Sequence, residues 1–181
     1  MIFSLAHYIK NEGSLDLCGC GTMSRVLKSD WYFIISASAV FVGSLALTGW
    51  DFVVLQGGVY RLGLLNGFGL AFFVAGVCLR VVSKRTIAKS YSYILRTSKP
   101  KELVKRGVYR FIRHPIYFAL LLYGAGIPLF FASFYGFIVS LGFLPCVLYR
   151  IRVEEEQLIR EFGEKYIEYK KRTKKLIPHI Y

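Results

Sequence analysis

Two stretches of this chain crowd together side chains able to bind ions and hold small polar groups: Arg113-His114-Pro115-Ile116-Tyr117 and Arg150-Ile151-Arg152-Val153-Glu154-Glu155-Glu156. His114 carries an imidazole that can donate or accept a hydrogen bond. Arg150 offers a planar fork of donors for a carboxylate or phosphate, and Glu154, four residues on, shares a helical face with it. Pro115 suits the first turn of a helix, where its missing N–H would be unpaired anyway. Arg113 and His114 therefore stand at a helix N-terminus, a place that favours a small polar or anionic ligand. Plainer readings exist for both stretches. Arg113 at a span end is expected to reach toward lipid headgroups. The pairs Arg150/Glu154 and Arg152/Glu156, taken alone, are solvated contacts of about 0.3–0.5 kcal/mol each.

The elements that position these residues are set by hydropathy. Between the two stretches lies an uncharged run of 35 residues, 115–149. A bilayer core of about 30 Å needs about 20 helical residues, so the run is too long for one span and is read as a helical hairpin turning near Phe131–Phe134. Folding it in half brings the two polar stretches to one membrane surface. Trp31–Trp50, between Asp30 and Asp51, reads as a first span with interfacial Trp at both ends. Leu62–Leu79, between Arg61 and Arg80, reads as a second, in which Gly63 and Gly67 would admit a neighbouring helix. Gln157–Tyr169, with Leu158, Ile159, Phe162, Tyr166 and Tyr169 at near-helical spacing, reads as an amphipathic helix over the site or on the membrane. The fold expected is an all-α integral membrane protein of one domain, with about four transmembrane helices and a cytoplasmic amphipathic C-terminal helix. Residues 1–30 form an interfacial segment, 31–82 the first two spans, and 83–181 the half that contains the hairpin.

Charge sets the orientation and excludes other classes. With 55% hydrophobic and 19% charged residues, the 181 residues suit a membrane domain rather than several soluble ones. From Arg80 to His114 there are 11 Lys/Arg and one acid, and from Arg150 onward 9 Lys/Arg and 6 Glu. The positive-inside rule makes both segments cytoplasmic, and an even span count puts the N-terminus there too. The net charge of +13 is split between two flanks of a membrane hairpin without a nucleic-acid-binding module, so the chain is read as facing anionic lipid and not nucleic acid. Cys18-Gly19-Cys20 falls short of a structural zinc site, which takes four ligands where only His7 is near, and no metal is expected. Cys78 and Cys146 read as small packing residues in the spans.

Taken together, Leu103-Val104, Gly107-Val108-Tyr109, Arg113-His114-Pro115-x-Tyr117, Arg150-x-x-x-Glu154-Glu155 and Phe162-Gly163-x-x-Tyr166-x-x-Tyr169 resemble the C-terminal half of the isoprenylcysteine carboxyl methyltransferases, over residues 88–181. The resemblance implies a membrane methyltransferase that uses S-adenosylmethionine without a Rossmann domain, and the chain has no G-x-G-x-x-G between strand and helix. By motif, Lys101, Glu102, Leu103, Val104, Tyr109, His114, Pro115, Ile116, Tyr117 and Glu154 would surround the cofactor. Arg150 would hold the carboxylate of a lipid-linked acceptor, with Arg150 and Glu154 as the catalytic pair. The cofactor would arrive from the cytoplasm and the acceptor sideways, between the later spans. Competing readings are a phospholipid or other lipid N-methyltransferase, a thiol S-methyltransferase, a nicotinamide-dependent membrane reductase and a non-enzymatic scaffold. Arg150 favours a carboxylate acceptor over an amine, which would gain nothing from a guanidinium. The topology has a direct check: in intact cells an impermeant thiol reagent should label a cysteine placed at Gln56 and fail to label one placed at Ser98. The reverse pattern would turn the protein over.

Overall fold

A computed structural model describes residues 20–59, 63–97 and 103–177, all helix and connecting segments apart from one isolated bridge between Ile112 and Lys174. Lys101, Glu102, Cys18 and His7 lie outside the described residues. The elements in order are α1 (Cys20–Trp50), running into a π-helical turn at Asp51–Leu55, then α2 (Leu64–Thr97), a 3-10 turn (Gly107–Arg110), α3 (Pro115–Phe130), α4 (Phe134–Ser140), α5 (Phe143–Phe162) and α6 (Glu164–Arg172). Among the described residues, three helical stretches are long and apolar enough to cross a membrane, Asp30–Leu55, Leu64–Ala88 and Phe134–Phe162, with α3 a shorter apolar helix beside them. Large apolar side chains along α1 and α2, Trp31, Val42, Leu64 and Phe68 among them, face outward, as they do on a surface that meets lipid.

The apolar run 115–149 does fold back on itself. Ala132 takes a left-handed conformation (φ 51°) in the turn, and Ser133 caps α4 by accepting from the Gly136 amide at 3.0 Å. The turn is fastened to the end of α1. The Ser133 hydroxyl donates to Asp51 Oδ2 at 2.5 Å, the Tyr135 amide donates to the same oxygen at 3.2 Å, and Gln56 Nε2 donates to the Phe131 carbonyl at 3.0 Å. From α2, Asn66 Nδ2 donates to the Phe130 carbonyl at 2.7 Å. Asp51 is thus buried and partnered, not a polar marker of the span's edge. The helix that carries the first span also begins before Trp31, at Cys20, so Asp30 sits inside it.

α2 packs along α3, while α1 leans on α4 and α5 and barely touches α2. The α2/α3 contact is close because it is made by small residues, although not by the expected pair. A Cβ built on Gly67 would meet nothing within 4 Å, and Gly63 precedes the helix and donates its amide to Asn66. A Cβ on Gly69 would stand 2.2 Å from the Phe130 nitrogen, one on Gly76 2.8 Å from the Tyr123 nitrogen, and one on Gly126 2.6 Å from the Phe73 nitrogen. The stripe that meets α3 is Gly69 and Gly76, two turns apart. Cys78 faces outward and does not pack within the fold.

The tail divides where one helix was expected. Gly163 adopts φ 53°, a conformation costly for other residues, and separates α5 from α6. The break lets α6 turn so that Tyr166 and Tyr169 are buried.

These contacts predict opposite outcomes for two similar substitutions. Gly69→Ala forces a methyl into backbone and should destabilise by about 1–3 kcal/mol or more, as overpacking does. Gly67→Ala meets open space and should be neutral or gain up to about 1 kcal/mol from helix propensity. Thermal unfolding in detergent compares the two.

Candidate active site

The segment before α3 is held in place by residues from the far end of the chain. The Arg113 and His114 amides donate to the Lys174 and Lys175 carbonyls at 2.8 and 3.0 Å, and the Lys174 amide donates to the Phe111 carbonyl at 3.2 Å. The Tyr169 hydroxyl donates to the Tyr109 carbonyl at 2.5 Å. Pro115 opens α3 as expected, with His114 at the cap position and its carbonyl accepting from the Tyr117 and Phe118 amides at 3.2 Å each.

Glu155 is the hub of this arrangement. Arg113 Nε donates to its Oε1 at 3.0 Å, Lys170 Nζ reaches its Oε2 at 3.1 Å, and His114 Nε2 lies 3.5 Å from Oε1, beyond good hydrogen-bond length. Arg113 Nη1 also donates to the Lys170 carbonyl at 3.0 Å and to the Thr173 carbonyl. Arg113 is therefore buried and spent on the protein's own groups, where its place at a span end predicted a reach toward lipid. Sequence reasoning placed weight on Glu154 and passed over Glu155. Consecutive helical residues point about 100° apart, and only the partners reveal which one looks inward to the C-terminal segment.

Glu154 looks the other way. Its Oε2 accepts from the Tyr117 hydroxyl at 2.8 Å. Arg150, one turn earlier and 5% exposed, pairs through Nη1 with Asp30 Oδ1 of α1, and has Tyr117 and Glu154 as further neighbours. Phe33, one turn along α1 from Asp30, meets Tyr117 edge-on with ring centres 5.7 Å apart.

Two cavities meet at this cluster, and Tyr109, Arg113, His114 and Glu154 line both. The larger, about 330 Å³, adds Pro115, Ile116, Tyr117 and Leu120 of α3, Phe33 of α1, and Arg80 and Lys84 of α2. The smaller, about 190 Å³, adds Leu103, Val104 and Ile87 on one side and Leu158, Phe162, Tyr166 and Tyr169 on the other. Of the residues singled out by motif, Leu103, Val104, Tyr109, His114, Pro115, Ile116, Tyr117 and Glu154 thus come together around the two cavities, whereas Arg150 lines neither. Phe33, Arg80 and Lys84 were missed. Arg80 and Lys84 are four apart on α2, which continues past the expected end of its span at Leu79, and that basic spacing was their one sequence signal.

The cavity walls carry unspent hydrogen-bonding capacity. Among the described residues, His114 Nε2 and the hydroxyls of Tyr109 and Tyr166 are buried with no hydrogen-bond partner. Burial, then the Glu154 carboxylate, pushes the Tyr109 phenol well above its ordinary range. Burial and the nearby Glu155 carboxylate do the same to Tyr166, and burial raises Tyr169 to about 12 against an opposing pull from Arg113. All three stay protonated at neutral pH, Tyr169 donating to the Tyr109 carbonyl while the Tyr109 and Tyr166 hydroxyls remain able to donate to a ligand.

A family-level comparison places residues 69–160, just over half of the chain, in the group described as isoprenylcysteine carboxyl methyltransferase (ICMT). The chain belongs to this family. The ICMT match spans α2 through most of α5 and so contains the hairpin, His114 and Glu154. Among named relatives, a protein-S-isoprenylcysteine O-methyltransferase of Saccharomyces cerevisiae is 34% identical over 120 residues, 65% of this chain and 50% of that protein. The human protein-S-isoprenylcysteine O-methyltransferase is 34% identical over 121 residues, 64% of this chain and 42% of its own length. An Arabidopsis thaliana protein-S-isoprenylcysteine O-methyltransferase B is 28% identical over 122 residues, 64% of this chain and 60% of its length. The chain spans about half the length of the curated relatives it matches. Membership and the apolar helices together make this ICMT relative an integral membrane protein.

The hub carries a stability prediction. Glu155→Ala strips a buried guanidinium of its partner and should cost about 3–5 kcal/mol. Glu156→Ala, on the exposed side of the same turn, should stay within about 0.5 kcal/mol. Midpoints of thermal unfolding in detergent measure the difference.

Proposed function

We propose that this chain is an S-adenosylmethionine-dependent methyltransferase that esterifies the carboxylate of a lipid-linked, isoprenylcysteine-like acceptor at the membrane surface. The observation that carries the reading is the meeting of two cavities at His114, Tyr109, Arg113 and Glu154, in a chain whose relatives are named for that reaction.

The residues present fit the cofactor. The smaller cavity has aliphatic and aromatic walls for a flat heterocycle, and partnerless polar atoms on His114, Tyr109 and Tyr166 for its hydroxyl and amino-acid groups. Glu154 supplies a carboxylate where the two cavities join, the right charge beside a sulfonium. Lys101 and Glu102 complete the proposed set by motif, with Leu103, Val104, Pro115, Ile116 and Tyr117 as walls. When bound, the cofactor would be held by His114, Tyr109, Tyr166 and Glu154 and would supply an activated methyl group on positive sulfur, which an acceptor carboxylate would take up as an uncharged methyl ester, leaving an uncharged thioether.

For this step the protein has little covalent work to do. A carboxylate is already ionised at neutral pH, so no general base is required, and holding the two partners in line supplies most of the acceleration. Arg150 takes the role of orienting the acceptor carboxylate. It stands beside Tyr117 and one turn from Glu154, both of which line the larger cavity. Phe33, Ile116 and Leu120 give that cavity an apolar wall for a lipid chain. Access from the membrane falls between α1 and α2, which barely touch, in place of the later spans. In this reading α3 completes a fourth crossing and both termini are cytoplasmic.

Calorimetric titration with S-adenosylhomocysteine in detergent should show saturable binding, weakened about 10- to 100-fold in His114→Ala and Glu154→Ala, as for lost hydrogen bonds to charged groups. Methyl transfer to N-acetyl-S-farnesylcysteine should fall nearly as far in Arg150→Lys as in Arg150→Ala, because the ammonium lacks the fork, with cofactor affinity retained in both. No binding heat would remove the cofactor, and an active Arg150→Ala would remove the acceptor assignment.

A further inference from the structure

The guanidinium of Arg150 is buried at the end of the apolar run and is already paired, in this structure, with a carboxylate of the protein itself. That carboxylate, Asp30, comes from α1, and its side chain is 12% exposed. The one-turn neighbour Glu154 has Oε2 committed to the Tyr117 hydroxyl. A buried guanidinium stripped of its counter-charge costs several kcal/mol, so a site that must hold Arg150 ready for an external carboxylate needs an internal one in its absence.

We propose that Asp30 is a positioning and specificity residue: it is the resident counter-ion of Arg150, yields the guanidinium to the acceptor carboxylate, and reclaims it once that carboxylate has become a neutral ester. The inference rests on the proposed role of Arg150 and extends it to α1. Its chemistry follows from the charge balance of methyl transfer. The acceptor arrives as an anion able to compete with Asp30 for the fork. It leaves as an ester, which retains carbonyl acceptors but no charge, and a charge-assisted contact is about twice as strong as a neutral one. After transfer Asp30 is the stronger partner, so product loses its hold without any external trigger.

The surroundings suit an exchange. Phe33, one turn from Asp30, lines the larger cavity and rests edge-on against Tyr117, which donates to Glu154. Filling that cavity therefore presses on the same turn of α1 that carries Asp30. α1 has little contact with α2 across the opening, so the turn that carries Asp30 can shift without unpacking the α2/α3 pair. Asp30 also sets selectivity, since a neutral acceptor group of the same shape cannot displace it.

The test is a pair of titrations on the full chain in detergent, with S-adenosylhomocysteine present so that nothing turns over. One uses N-acetyl-S-farnesylcysteine, the other its methyl ester. In Asp30→Asn the acid no longer has to displace a carboxylate and should bind at least about tenfold tighter, the lower end of coupling for close charge pairs. The ester should change far less, and Asp30→Glu, which keeps the charge, should return acid affinity toward wild type. A purely structural Asp30 would not tighten binding, so unchanged or weaker acid affinity in folded Asp30→Asn overturns the proposal. Should that variant not fold, the unmodified protein decides: the ester must bind at least about tenfold more weakly than the acid, and equal affinities overturn the proposal. Arg150→Ala separates the two levels. If it leaves acid affinity intact, the carboxylate role of Arg150 fails and Asp30's falls with it. An Arg150 effect without an Asp30 effect leaves Arg150 standing and removes Asp30 alone.

Discussion

A charge withdrawn from water has to find its opposite within a few ångströms, and the polar half of this molecule is organised around that demand. Glu155 meets Arg113 and Lys170, Arg113 spends its remaining donors on the carbonyls of Lys170 and Thr173, and the backbone of 111–114 runs beside 174–175. The consequence is a division of labour between neighbours. One carboxylate of the Glu154-Glu155 pair and one arginine are consumed in fastening the C-terminal segment across the start of α3. The other carboxylate and His114 are thereby left facing the cavities. A site of this kind does not need cavity-facing residues and structural residues from separate regions, since consecutive positions on a helix already look in different directions.

The apolar half solves a different problem. Between helices in lipid there is no hydrophobic drive to association, so close van der Waals contact and a few polar links must suffice. Gly69, Gly76 and Gly126 let α2 and α3 approach until backbone meets backbone. Asp51, Ser133, Gln56 and Asn66 then tie the hairpin turn to the ends of α1 and α2. The pairing of α2 with α3, and of α1 with α4 and α5, leaves α1 and α2 apart and the larger cavity between them.

Much of this was readable from the residues. The hairpin followed from an uncharged run too long for one crossing, the start of α3 from Pro115, and the convergence of His114 and Glu154 from folding that run in half. What escaped was what depends on a partner far along the chain. Asp30 and Asp51 looked like the polar borders of a span, because a charge flanking an apolar stretch carries no mark of the arginine or serine it will meet. Four residues separate Gly63 from Gly67 and seven separate Gly69 from Gly76, spacings that each keep a pair on one helical face, and only the face that α3 occupies distinguishes the pairs. The split of the tail at Gly163 had a local signal, a glycine in the helix-ending position, which near-helical spacing across it concealed. Whether Arg150 serves an acceptor is not a question that spacing answers, since its nearest carboxylate belongs to the protein.

Helix α3 is secured at both ends by unrelated sets of bonds, at His114 by the C-terminal segment and at Phe130 and Phe131 by Asn66 and Gln56. Its 16 residues therefore act as a strut of about 24 Å at the usual rise per residue. The distance of His114 from the hairpin turn is a matter of residue number. Adding one residue to the strut would lengthen it by about 1.5 Å and swing one anchor about 100° around the axis relative to the other. Both anchorages could not then be satisfied at once. The helix works as a gauge that fixes how far the cavities at His114 lie from the hairpin turn, and its length should be the least negotiable dimension of the fold.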